Sequence, residues 1–273
     1  MFKRIITGVV GLPIVLFLIY LGGLSLIITC GLFALIGLRE LYTAFSKGDR
    51  PVHLVGYVFT VIYFATIYLF GAGYWLLIAL TLFIITAQSC LVAFYKKLPP
   101  QECITTVYGF LYVPFLMSFI VLVREHDLGQ YYVWLIFTSA FGADTFAYLA
   151  GSLFGRRKLK GSPSPSKSVE GVIGGILGAA LVGFVYGFFI FRFADPSATE
   201  YIMFNATVIS AVGAVFSIIG DMAASAIKRH TGIKDFGHIF PGHGGVLDRV
   251  DSVIIVAPIV YMVMNVMIWL LIY

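Results

Sequence analysis

The sequence predicts an all-α, polytopic integral membrane protein of about nine transmembrane helices, N-terminus inside and C-terminus outside. Three observations carry that expectation. Of 273 residues, 60% are hydrophobic and only 11% are charged, where a soluble domain carries roughly 25% charged residues. The mean hydropathy of +0.99 excludes a soluble globular domain, a disordered chain and a disulfide-stapled secreted scaffold. The apolar residues also run unbroken instead of alternating, which excludes a transmembrane barrel.

The first apolar run, 5–21, follows Lys3 and Arg4. It has no small-x-small cleavage site and a second run, 24–38, follows at once, so it reads as a retained span and not a signal peptide. Runs at 54–70, 74–95 and 104–123 complete an N-terminal half, 1–125, expected to be a lipid-facing scaffold. The C-terminal half, 126–273, holds runs at 131–154, 172–191, 202–220 and 253–273, with the inner loops expected to carry the chemistry. Each run is close to the roughly 20 residues that cross a bilayer.

With the N-terminus in the cytoplasm, all but two of the 18 Lys and Arg residues fall on inner segments, and only Arg124 and Arg192 fall outside. Such an asymmetry is a strong form of the positive-inside bias and supports both the orientation and the helix parity. Cys30, Cys90 and Cys103 form no CxxC pair and read as small core residues with no redox or zinc role.

Several polar residues do not serve topology. Asp144 lies inside the sixth run, where a carboxylate costs about 2.5–3.5 kcal/mol. It either braces a neighbouring helix or belongs to a polar site, and Tyr148 shares its face one turn on. In Gly161-Ser-Pro-Ser-Pro-Ser-Lys-Ser-Val-Glu-Gly171, Pro163 and Pro165 interrupt any helix. Its hydroxyls and Lys167 suit either a phosphate-binding turn or an ordinary loop. Gly171, Gly174, Gly175, Gly178 and Gly183 recur at helical spacing, which suits close helix packing and permits a homodimer.

Asp221, Ser225 and Lys228 stand at i, i+4 and i+7 on one helical face. Beyond them, Gly242, Gly244 and Gly245 allow backbone amides to approach phosphate oxygens. Asp248 and Asp251 follow one turn apart, and two like charges there call for a cation. Carboxylates without cysteine select a hard ion such as Mg²⁺, and His238 and His243 complete no zinc quartet. Carboxylates, glycine turns and bases at a membrane surface point to phosphoryl or nucleotidyl transfer with a lipid substrate.

Two segments resemble the CDP-diacylglycerol synthase (phosphatidate cytidylyltransferase) family. The first is Ser225-x-x-Lys228-Arg229, Lys234-Asp235, Pro241-x-His243-Gly244-Gly245, then Asp248-Arg249-x-Asp251. The second is Asp144-x-x-Ala147-Tyr148-x-x-Gly151 with Ser164-Pro165-Ser166-Lys167-Ser168-Val169-Glu170-Gly171. The family more often shows Ser-Pro-Lys-Lys-Thr-x-Glu-Gly, so Ser166 replaces a lysine and Ser168 a threonine.

The resemblance implies synthesis of CDP-diacylglycerol and pyrophosphate from CTP and phosphatidic acid in phospholipid biosynthesis. It implies Mg²⁺, with or without a second cation, held by Asp221, Asp248 and Asp251. Asp221, Lys228, Asp248 and Asp144 are the expected catalytic residues. Substrate would be held by Ser225, Arg229, Lys234, His243, Gly244, Gly245, Arg249, Lys167 and Glu170. The expected setting is a bacterial cytoplasmic (inner) membrane with the site facing the cytoplasm, among membrane lipids and with no nucleic-acid partner. The main rival is a secondary transporter with an intramembrane acidic site, which usually shows two corresponding halves. A CDP-alcohol phosphotransferase lacks support because its Asp-Gly-x-x-Ala-Arg element is absent. A non-enzymatic scaffold would have no use for the acidic cluster.

Overall fold

A computed structural model describes residues 2–46, 51–190, 201–240, 242 and 244–272. Its helices are α1 (Phe2–Leu21), α2 (Gly23–Phe45), α3 (Pro51–Phe70), α4 (Tyr74–Ala93), α5 (Pro100–Phe110), α6 (Leu116–Arg124), α7 (Gly129–Phe154), α8 (Val169–Phe189), α9 (Tyr201–Thr231) and α10 (Leu247–Ile272). A π-helical turn, Leu111–Phe115, joins α5 to α6. Over the described residues each expected apolar run falls on a helix, with 104–123 covered by α5, the π turn and α6 together; the last residues of the runs 172–191 and 253–273, and Arg192, lie outside the described residues. Among the described residues, eight helical spans are long and apolar enough to cross a membrane.

The departures from the hydropathy pattern have local causes. Pro114 sits in the π turn, where its missing N–H and bulky ring disturb the ordinary helical ladder. α2 runs on past residue 38 to Phe45, and α9 past residue 220 to Thr231. Polar side chains end a hydropathy run without ending the helix that carries them.

The chain divides into two compact units, Met1–Leu122 with His230–Val250, and Val123–Arg229 with Asp251–Tyr273. In the first, α2 packs on α1, α3 and α5, and α4 packs on α3 and α5. Phe83 and Phe110 stack at 4.1 Å in its core, and Tyr63 meets Phe110 edge-on. Tyr42 stacks on His53 at 4.3 Å and donates its hydroxyl to the Thr106 carbonyl at 3.0 Å. Gly56 and Gly109 face that tyrosine so closely that a Cβ on either would collide with it. Beside it, His53 approaches Glu102 at 3.4 Å, and Ser46 donates to Glu102 at 2.6 Å. These polar groups lie in the half that hydropathy alone marks as scaffold.

The second unit is organised by α7 against α8. Gly171, Gly174, Gly175 and Gly178 of α8 abut Ala147, Ala150, Ala143 and Phe146 of α7. Gly183 and Gly187 abut α9 at Ala206, Ser210 and Met203. The glycine stripe thus brings three helices close, as small residues do in lipid.

Candidate active site

The turn between α7 and α8 is a hydrogen-bonded hairpin. Lys158 and Ser168 form an antiparallel bridge; the Leu159 amide donates to the Lys167 carbonyl, and the Val169 amide to that of Arg157. Ser168 caps α8 by accepting the Gly171 amide at 3.1 Å, the usual work of a serine at a helix N-terminus. Glu170 accepts the Arg156 and Arg157 amides at 3.1–3.2 Å, so its carboxylate ties the start of the hairpin to the first turn of α8.

The hairpin presents Lys167 to α9. Its ammonium nitrogen lies 2.6 Å from Asp221 Oδ2, with both side chains half-buried. Asp144, on α7, lies within electrostatic range of both. Three elements thus bring two carboxylates and one ammonium together in the second unit. One turn along α9 stand Ser225 and then Lys228, both half-buried. Arg229 donates its Nε–H to the Pro163 carbonyl, which ties the end of α9 to the hairpin. Tyr148, one turn after Asp144 on α7, is 76% exposed.

Gly220, immediately before Asp221, lies so close to α10 that a Cβ there would meet the Asp251 carbonyl oxygen at 2.9 Å. Asp251 is buried, and its carboxylate accepts the Ser252 amide at 2.8 Å. Asp221 and Asp251 therefore belong to one neighbourhood of the second unit.

Asp248 belongs to the first unit. Its Oδ2 accepts the Phe236 amide at 2.8 Å and the Gly245 amide at 3.0 Å. Gly244, at φ +82°, closes the turn with a Phe240–Gly244 bridge. A Cβ on Gly244 would lie 2.8 Å from the Asp248 carboxylate. The Gly245 amide is thus engaged by Asp248. Lys234 and Arg249 are exposed on either side of the turn. His243 lies outside the described residues.

Sequence reasoning missed Glu40. It is 7% exposed, and its two carboxylate oxygens accept the Val246 amide at 3.0 Å and the Leu247 amide at 2.8 Å. The signal was present, because an acid in a membrane helix is functional by default. Ending the apolar run at residue 38 placed Glu40 in a loop.

Among the described residues, no three His, Cys, Asp or Glu side chains converge as a metal-holding group. Mg²⁺ does not ask for one, because it is usually bound by one or two carboxylates together with substrate phosphates and water. The Asp221 carboxylate is paired here with the Lys167 ammonium.

A model of the Cytidylyltransferase family matches residues 2–267. The phosphatidate cytidylyltransferase of Thermotoga maritima is 38% identical over 175 residues, which is 62% of this chain and 63% of that protein. The match thus spans a little under two thirds of the Thermotoga relative's length. The phosphatidate cytidylyltransferase of Staphylococcus haemolyticus is 31% identical over 264 residues, 94% of this chain and 96% of its own. That of Staphylococcus aureus strain COL matches to the same extent. With a family model covering nearly every residue and relatives matched almost end to end, the chain belongs to the cytidylyltransferase family.

Proposed function

We propose that the protein transfers the cytidylyl group of CTP to phosphatidic acid, giving CDP-diacylglycerol and pyrophosphate. The single observation that carries this reading is the Lys167–Asp221 pair beside Asp144, a charged cluster that folding an apolar bundle does not require. The names of the relatives support the same substrates. We place the reaction at the cytoplasmic face of a bacterial inner membrane, on the strength of the basic inner loops.

An oxygen of the lipid phosphate attacks the α-phosphorus of CTP, and the bond from that phosphorus to the bridging oxygen breaks. Pyrophosphate leaves with the electron pair. A phosphate monoester has its second pKa near 6 and is largely dianionic at neutral pH, so the protein need not supply a strong base. The obstacle is the approach of one anion to another. Lys167, Lys228, Arg229, Lys234 and Arg249 are assigned to neutralise the lipid phosphate, the triphosphate and the leaving group.

Mg²⁺, when bound, would offset phosphate charge and hold the triphosphate for in-line displacement. The carboxylates assigned to it from the sequence signature are Asp221, Asp248 and Asp251, and their hard oxygens suit that ion. Asp144 is assigned to orient Lys167 and Asp221. Glu170 holds the hairpin from which Lys167 projects. Ser225, His243, Gly244 and Gly245 are assigned to substrate contacts.

The test is purified protein in detergent with labelled CTP, phosphatidic acid and Mg²⁺, scored for a lipid-soluble cytidine product. Product that requires all three supports the assignment. No product beside an active control enzyme refutes it, and solute uptake by proteoliposomes without nucleotide would favour a transporter instead.

A further inference from the structure

We infer that Glu40 is a positioning residue that sets the Asp248 turn. The inference rests on the reading of Asp248 as a substrate-side carboxylate. Three successive backbone amides, those of Gly245, Val246 and Leu247, are consumed by two carboxylates. Gly245 donates to Asp248, and the next two donate to Glu40. The turn is therefore wound between the two acids.

The fit leaves no slack. A Cβ on Gly237 or Gly245 would collide with the Glu40 carboxylate, so the backbone passes against it on two sides. Glu40 also lies within electrostatic range of Asp248 and of His238. Like charges at that range repel, and the amides between them hold each carboxylate in its place. The helix that bears Glu40 is anchored as well. Tyr42, two residues on, stacks on His53 and donates to the Thr106 carbonyl, and Ser46 at the end of α2 donates to Glu102. A side chain projecting from an anchored helix can fix a neighbour. A cap alone could come from a local Ser, Thr or Asp at the start of α10. Val246 stands there, and the capping carboxylate arrives from α2.

Glutamine is nearly isosteric but offers one acceptor oxygen, and its NH₂ would face a backbone N–H. Glu40→Gln therefore unties at least one of the two amides. The experiment is hydrogen exchange by mass spectrometry on the full chain in detergent, read on peptides covering residues 240–250, together with Mg²⁺ activation of cytidylyl transfer. Exchange at 240–250 is expected to rise tenfold or more in Glu40→Gln, with peptides from α4 and α8 unchanged. The Mg²⁺ concentration for half-maximal rate is expected to rise at least fivefold, with the KM for phosphatidic acid within twofold of wild type. Gly237→Ala presses on the same carboxylate from the loop side and is expected to give the same local pattern. Exchange unchanged in both variants, or raised uniformly along the chain, overturns the inference. So does a raised exchange with an unaltered Mg²⁺ response in an active enzyme. If wild type makes no cytidine lipid, the functional reading fails by itself, and the exchange pattern still decides whether Glu40 holds the turn.

Discussion

At the scale of single residues, Asp221 and Asp144 make different demands. Asp221 faces an ammonium at 2.6 Å and occupies a late position on α9 where no charge is needed to fold. Asp221→Asn is expected to lower turnover at least a hundredfold while leaving the thermal midpoint near wild type. Normal turnover across a Mg²⁺ titration would refute its assignment. For Asp144→Asn two outcomes separate two roles. If the carboxylate only braces a helix, the amide keeps the hydrogen bond and activity survives. If it sets the charge around Lys167 and Asp221, the rate falls by one or more orders of magnitude, each about 1.4 kcal/mol of barrier. The electrostatic contact among the three residues favours the second outcome. Turnover at saturating CTP and Mg²⁺, measured with the unfolding midpoint, distinguishes them. Asp144, Lys167 and Asp221 were legible one by one: Asp144 as a charge inside an apolar run, Lys167 among the hydroxyls of a proline-broken turn, and Asp221 on one helical face with Ser225 and Lys228. Their meeting was not legible, since it depends on how a hairpin folds back over α9. Glu40 was hidden by its place at the end of an apolar run.

At the scale of elements, hydropathy located each of the eight candidate spans among the described residues and misplaced some of the ends. It reads the side chains, whereas the helix is held by backbone hydrogen bonds that continue under polar residues. That is why α9 reaches Thr231 and carries Asp221, Ser225 and Lys228 on one continuous helix. The spacing of the α8 glycines was a dependable sign of packing. At Gly175 a Cβ would lie 2.8 Å from the Ala143 carbonyl oxygen and 3.0 Å from the Ala147 Cβ. Backbone cannot swing aside as a flexible side chain does. Gly175→Val is therefore expected to cost about 1–3 kcal/mol through overpacking, read as a lowered thermal midpoint in detergent. A midpoint equal to wild type would show that α7 and α8 can part without penalty.

At the scale of the whole molecule, the basic asymmetry makes a firm demand on orientation. A cysteine introduced at position 160, which is exposed in the hairpin, should resist an impermeant thiol reagent in intact cells and react after permeabilisation. Labelling in intact cells would invert the topology and remove the hairpin from cytoplasmic CTP. The background thiols are modest, because Cys30 and Cys103 are buried. The bond between Glu40 and Leu247 also spans 207 residues of sequence. At about 5–20 residues per second, a ribosome takes about 10–40 s to travel that distance. The helix bearing Glu40 is therefore made long before the segment it must grip, and that carboxylate waits for its partners while the chain between them is made. A nascent chain halted before residue 247 can have its early helices in the membrane and still lack this anchor. Maturation of the turn is in this sense a delayed event relative to synthesis of α2, timed by the length of chain between the two ends of one hydrogen bond.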